Sequence, residues 1–230
     1  MNAKRIAVCA VSVALLIALQ FTLSMVPGVE LVTVLLLCFC YTFGVCMGLI
    51  TATAFSLLRC ILFGFNINVI VLYLIYYNLF AVLFGFLGKK TIPSWICYAI
   101  LSIVAAVSAY FAIVGLPISI LYKRQVTIML WAVFSIAVAL IIMYTVLLIK
   151  NRGRGGREIA AVAALAAVCT LCFSLLDDVI TPLIYGYTPD AAKAYFVASL
   201  YVMIPQTLCT LISVSLLFRP LVTVFKKVTV

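Results

Sequence analysis

The chain has 230 residues, 68% of them hydrophobic and 9% charged, with a mean hydropathy of +1.39. A water-soluble domain is about 45–50% apolar and about 25% charged, so this composition excludes a soluble globular protein and indicates an integral membrane chain. The formal charge of +10 does not point to nucleic acid. Of the 15 basic residues, 11 sit in four clusters beside apolar runs: Lys4/Arg5, Lys89/Lys90, Lys150/Arg152/Arg154/Arg157 and Arg219/Lys226/Lys227. Cytoplasmic loops have this pattern, and it also suits contact with anionic lipid headgroups.

A helix needs about 20 apolar residues to cross a bilayer. The run 6–26 supplies the first span, and no small-residue cleavage site follows it, so it is expected to be retained. Alanines at 10, 14 and 18 stack on one helix face, either by chance or as a shallow groove for close approach of another helix. Val29 to Phe65 is about twice the spanning length and must fold back. Gly44 and Gly48 mark the turn between short spans at 30–46 and 48–64. Further spans follow at 68–88, 94–116, 127–149, 158–180 and 194–218, the seventh rich in alanine. Residues 151–157 form a basic, Gly-rich linker within a single membrane domain covering 1–230. The expected fold is therefore an all-α polytopic bundle of about eight spans, with the basic clusters and both termini cytoplasmic. Lys123 and Arg124 are the exception, a basic pair on the outer side. Four of the five acids, Glu30, Asp177, Asp178 and Asp190, gather at the outer side, while Glu158 stays with the inner arginines.

The sequence lacks the residues that most catalytic motifs need. There is no histidine, no G-x-x-x-x-G-K-[ST] phosphate loop and no G-x-S-x-G elbow. The nine cysteines lie largely in apolar runs, and the pairs Cys38/Cys40 and Cys169/Cys172 read as small packing residues with no second ligand pair for a metal. No cofactor is expected. Asp177 and Asp178 are adjacent on a helix and point about 100° apart, which does not make a facing catalytic dyad.

Polar groups at membrane depth are costly and usually line a cavity. Arg59 either binds an anionic group or extends to the headgroups. Asn66 and Asn68 either cap helices or bind ligand. Tyr73 and Tyr77, with Asn78, serve as interfacial anchors or as pocket walls. Asp177 and Asp178 could pair with Arg59, hold a cation or begin the outer loop. Gln206 follows Pro205, where a proline frees backbone groups and a polar side chain can face a cavity.

The stretch IAVCAVSVALLIALQFTLSMVPGVELVTVLLLCFCYTFG resembles the N-terminal part of the substrate-binding S components of energy-coupling factor (ECF) transporters. Val29-Glu30-Leu31-Val32-Thr33 matches the family's Asn-Val-Glu-Leu-Val-Thr-like segment, with Gly28 in place of the Asn. FSLLRCILFGFNINVIVLYLIYYNLF resembles the third and fourth family helices, with Arg59 where many relatives carry an acid, and the C-terminal helix exits through Arg219-Pro220 as in the family. Residues 95–150 are not covered and would add two spans to the usual six.

The resemblance implies a prokaryotic plasma-membrane protein that captures a vitamin or related micronutrient at the outer face. Its partners would be a membrane coupling subunit and two ATPase subunits, and it would itself be non-catalytic. Ala10, Ala14 and Ala18 would dock on the coupling subunit. Glu30, Arg59, Asn68, Tyr73, Tyr77, Asp178 and Gln206 are the candidates for the substrate cavity or its lid. Two rival readings are a stand-alone ion-coupled transporter using Asp177 or Asp178, and a structural subunit that binds no small molecule.

Overall fold

A computed structural model describes residues 2–26, 29–88, 94–114, 123–150 and 154–228. Pro27-Gly28, Lys89/Lys90 and Arg152 lie outside them. The described residues form eight α-helices and no strand: α1 (Ala3–Leu23), α2 (Val32–Phe43), α3 (Val45–Phe63), α4 (Ile67–Leu87), α5 (Ser94–Val114), α6 (Lys123–Lys150), α7 (Arg154–Tyr185) and α8 (Pro189–Lys227). Six stretches are long and apolar enough to cross a bilayer, in α1, α3, α4, α6, α7 and α8. Large apolar side chains such as Val11, Phe21, Leu79 and Leu216 face outward from the bundle. A perimeter of this kind is compatible with lipid and with a membrane-embedded, multi-pass protein.

The helix α2 departs from the expected span over 30–46. It has 12 residues, a rise of about 18 Å against a hydrocarbon core of about 30 Å. Its sequence offers no polar face, so it has to be surrounded by other helices. Every residue from Val32 to Cys40 is buried, and α2 packs against α1, α3, α4, α7 and α8. The first half of α7 shares that interior position. Its alanines at 160, 161, 163, 164, 166 and 167 are fully buried, because small side chains let neighbouring helices come close on several sides. The helix begins at Arg154, so the last four residues of the expected 151–157 linker are helical and 151–153 lie outside the described residues.

Two glycines set the sharp turn from α2 into α3 and its cover. Gly44 has φ 82°, the left-handed region that a side chain disfavours, and it ends one helix while starting the next. From α4, Gly85 lies so close to the first residue of α3 that an added Cβ would sit 2.6 Å from the Val45 backbone nitrogen.

Successive helices alternate in direction, which sorts the charges. At one end, Tyr41 donates a hydrogen bond to Glu158, and Phe39 meets Phe225 edge-on. Lys4, Arg5, Lys150, Arg219, Lys226 and Lys227 belong to this end by helix order. Glu30, Asp177, Asp178 and Asp190 lie toward the other. The long helix α8 starts at that acidic end, with the Thr188 hydroxyl accepting from the Ala191 N–H and Pro189 at the first turn. The helices α5 and α6 pack on each other as a hairpin whose main contact with the rest is α7. The other six helices form a bundle around α2.

Candidate ligand-binding pocket

A cavity of about 290 Å³ opens at the acidic end, where α1, α3, α4 and α8 surround the start of α2. Its position follows from chain breaks. The first helix stops near Ser24, the chain passes through Val29 and Glu30 without helical structure, and the short α2 leaves the space above it unfilled. Gln20 and Leu23 line it from α1, Arg59 and Phe63 from α3, Tyr73 and Tyr77 from α4, and Val202 and Gln206 from α8.

Glu30 is held from both sides. The Thr33 hydroxyl donates to Oε1, and Gln206 Nε2 donates to Oε2 at 2.6 Å. The Cys209 thiol also donates to the Glu30 main-chain carbonyl at 3.6 Å. These contacts fix an acidic side chain at the pocket wall and tie the α1–α2 connection to α8.

Arg59 is placed differently. Its guanidinium carbon lies 4.3 Å from the ring centre of Tyr73 and 5.5 Å from that of Phe63, a favourable cation–π arrangement. It makes no salt bridge among the described residues, and its Nε is buried without a hydrogen-bond partner. The sequence option of pairing with Asp177 or Asp178 is not realised.

Gln20 completes the polar wall. Its Nε2 donates to the Tyr73 hydroxyl at 3.2 Å, while its Oε1 is buried and unpartnered. Behind this wall Tyr73, Tyr77, Phe55 and Phe173 form an aromatic layer, with centroids 5.0 Å apart for Tyr73–Tyr77 and 5.3 Å for the edge-on Phe55–Tyr77 pair.

Five of the sequence candidates thus share one pocket: Glu30, Arg59, Tyr73, Tyr77 and Gln206. Asn68 and Asp178 do not line it. Asn68 is buried between α4 and α7, donating to the Thr181 hydroxyl at 2.9 Å and accepting from the Tyr185 hydroxyl at 3.1 Å. Thr181 in turn donates to Asp177, whose other oxygen accepts from Tyr195 at 2.7 Å, and Asp178 accepts from Ser199 at 2.8 Å. This second network fastens α4, α7 and α8 together beside the pocket. Gln20 escaped the sequence reading. It is an amide inside the first apolar run, a position where a polar side chain is costly, and that was the available signal.

Of the candidate docking residues, Ala10 and Ala14 line a separate apolar groove of about 440 Å³ between α1 and α3, opposite Ile50, Ala54, Leu58 and Leu62. Ala18 is exposed one turn further along α1. Among the described residues, no three metal-ligating side chains converge. Cys38 and Cys40 are buried in the core, as packing residues are, whereas Cys169 is half-buried and Cys172 exposed. The chain matches no protein-family model, no curated protein and no solved structure.

Proposed function

We propose that the chain is the substrate-capture subunit of an ECF-type importer, binding a small micronutrient in the pocket and passing it to a coupling module. The observation that carries this reading is the pocket itself. Charged and amide groups with unfilled bonding capacity face a small cavity beside aromatic rings, the usual make-up of a small-molecule site. The exposed small-residue face on α1, at the other level of the same helix, supports a docking role for Ala10, Ala14 and Ala18. In this reading α2 and α5 complete an eight-segment membrane bundle. The basic end and both termini face the cytoplasm, and the α5–α6 hairpin is an addition to a six-helix S-component core.

The chain would deliver substrate through a membrane coupling subunit and two ATPases that supply the energy. A direct test is mass spectrometry of the small molecules and proteins that co-purify with the tagged chain from its native membrane, paired with uptake assays in reconstituted vesicles. ATP-dependent uptake that requires the coupling subunits is expected. Accumulation driven by an ion gradient in vesicles holding this chain alone would overturn the reading. That result would favour a stand-alone transporter, for which the supporting observation is Asp178, with one carboxylate oxygen buried and unpartnered.

A further inference from the structure

We infer that the pocket is built for a small zwitterionic carboxylate, with the ligand's anionic group on Arg59 and an N–H-bearing or ammonium group on Gln20 and Glu30. The inference deepens the capture-subunit reading and rests on it only in taking this pocket as the ligand site.

Only two charged side chains line the cavity among the described residues, Glu30 and Arg59, and they have opposite sign. The two do not form a salt bridge, and each has other contacts. Glu30 is engaged on both oxygens by Thr33 and Gln206, and Arg59 rests against Tyr73 and Phe63. The ring contacts satisfy the cation as a charge but use none of its directional donors. A guanidinium carries five N–H groups and no acceptor, and the buried Nε has no partner. The group that satisfies a planar fork of donors is a carboxylate or another oxyanion, bound by charge-assisted hydrogen bonds.

The second half of the ligand follows from Gln20. Its amide nitrogen is committed to the Tyr73 hydroxyl, which orients its oxygen as a buried acceptor with nothing donating to it. A carboxylate accepts more than one hydrogen bond per oxygen, so Glu30 also retains acceptor capacity. The open valences of the wall are therefore donors at Arg59 and acceptors at Gln20 and Glu30. A neutral apolar molecule would leave both sets unsatisfied at a cost, and a simple cation would meet Arg59 as a like charge. The volume of about 290 Å³ lies at the small end of ligand sites, and the Tyr73 and Phe63 rings favour a compact, partly planar body.

The test uses the full-length chain in lipid nanodiscs and a defined panel of small probes. The panel contains α-amino acids and aminomethylbenzoates, each with its neutral carboxamide and its des-amino acid, with binding read by native mass spectrometry. The expected result is that one or more zwitterions bind and that the matching carboxamide binds about 10- to 100-fold more weakly, the range for losing a hydrogen-bonded charge contact. In Arg59→Gln this acid-over-amide preference should collapse to within about twofold, while Arg59→Lys keeps part of it. Gln20→Leu, which leaves Arg59 in place, should narrow the zwitterion's advantage over the des-amino acid and serves if Arg59→Gln fails to fold.

Binding of carboxamides as tight as that of acids, an undiminished acid preference in Arg59→Gln, or no binding by any zwitterion would overturn the ligand class. Those outcomes leave the importer reading standing. Ion-driven transport by the chain alone would overturn the importer reading and leave the ligand class untouched.

Discussion

The close approach of α4 to the start of α3 gives a direct test of the fold around α2. In Gly85→Ala the new Cβ would lie 2.6 Å from the Val45 nitrogen, 2.7 Å from its Cα and 2.9 Å from its Cγ2. The first two atoms are backbone at a helix start and cannot rotate away. Restoring ordinary contact distance requires α3 and α4 to part by most of an ångström, a gap that forfeits about a quarter to a half of each local dispersion contact. Inserting a methyl group into a packed site of this kind costs about 1–3 kcal/mol. For a chain of this size that corresponds to a fall of about 2–12 °C in melting temperature. A thiol-reactive fluorophore is a suitable probe, because Cys38 and Cys40 on α2 are buried and become reactive when the core opens, while Cys46, exposed at the start of α3, sets the baseline. Ala18→Leu, on the exposed face of α1, should melt within about 1 °C of the parent, since exposed substitutions change stability little. If Gly85→Ala melts with the parent chain, α3 and α4 do not meet at this contact and the tight α2–α3–α4 packing is wrong.

Gln206→Leu should lower stability by about 1.5 kcal/mol, the low side of the range for a hydrogen bond to a charged group, because Glu30 is only partly buried. Its effect and that of Glu30→Gln should be non-additive by at least about 0.5 kcal/mol in a double-mutant cycle, and strict additivity would mean that the two side chains do not interact. Ala14→Trp, which fills the α1–α3 groove, should abolish uptake with the coupling module and leave ligand binding by the isolated chain unchanged; loss of both would argue against a docking surface. Replacing residues 89–153 by a flexible linker should preserve ligand binding within about threefold, because α5 and α6 pack chiefly on α7 and supply no side chain to the pocket wall; binding is expected to respond to wall contacts, each worth about 1 kcal/mol or more. Complete loss of binding in a chain that still inserts would show that the hairpin shapes the pocket.

Much of the architecture was legible without coordinates. The apolar runs gave eight helices close to their expected places, and the turn lies at Gly44, whereas Gly48, also expected to mark it, is buried inside α3. The 12-residue length of α2 was not legible, because its apolar run continues smoothly into the residues that flank it. The pocket was half legible. Glu30, Arg59 and Gln206 are conspicuous as rare polar groups in apolar surroundings. Asn68 and Asp178 are equally conspicuous, yet they pair with Thr181, Tyr185 and Ser199 instead of facing the cavity. Gln20 carries the same signal but sits where the alanine face draws attention to packing.

The amino-acid sequence by itself determined the apolar character compatible with a membrane, the helical content and the gathering of most described basic residues at one end and four of the five acids at the other, because each depends on properties summed along the chain. Only the tertiary structure decided which polar groups meet. The helix α4 is apolar on nearly every side, so nothing in its local pattern says whether Asn68 or Tyr73 turns toward the cavity. That choice is made by close packing against α2, α3 and α7, where the fit of small residues and the demand of each buried polar group for a partner select one arrangement. The same packing leaves Arg59 and Gln20 with open bonding capacity around a space that α2 is too short to fill.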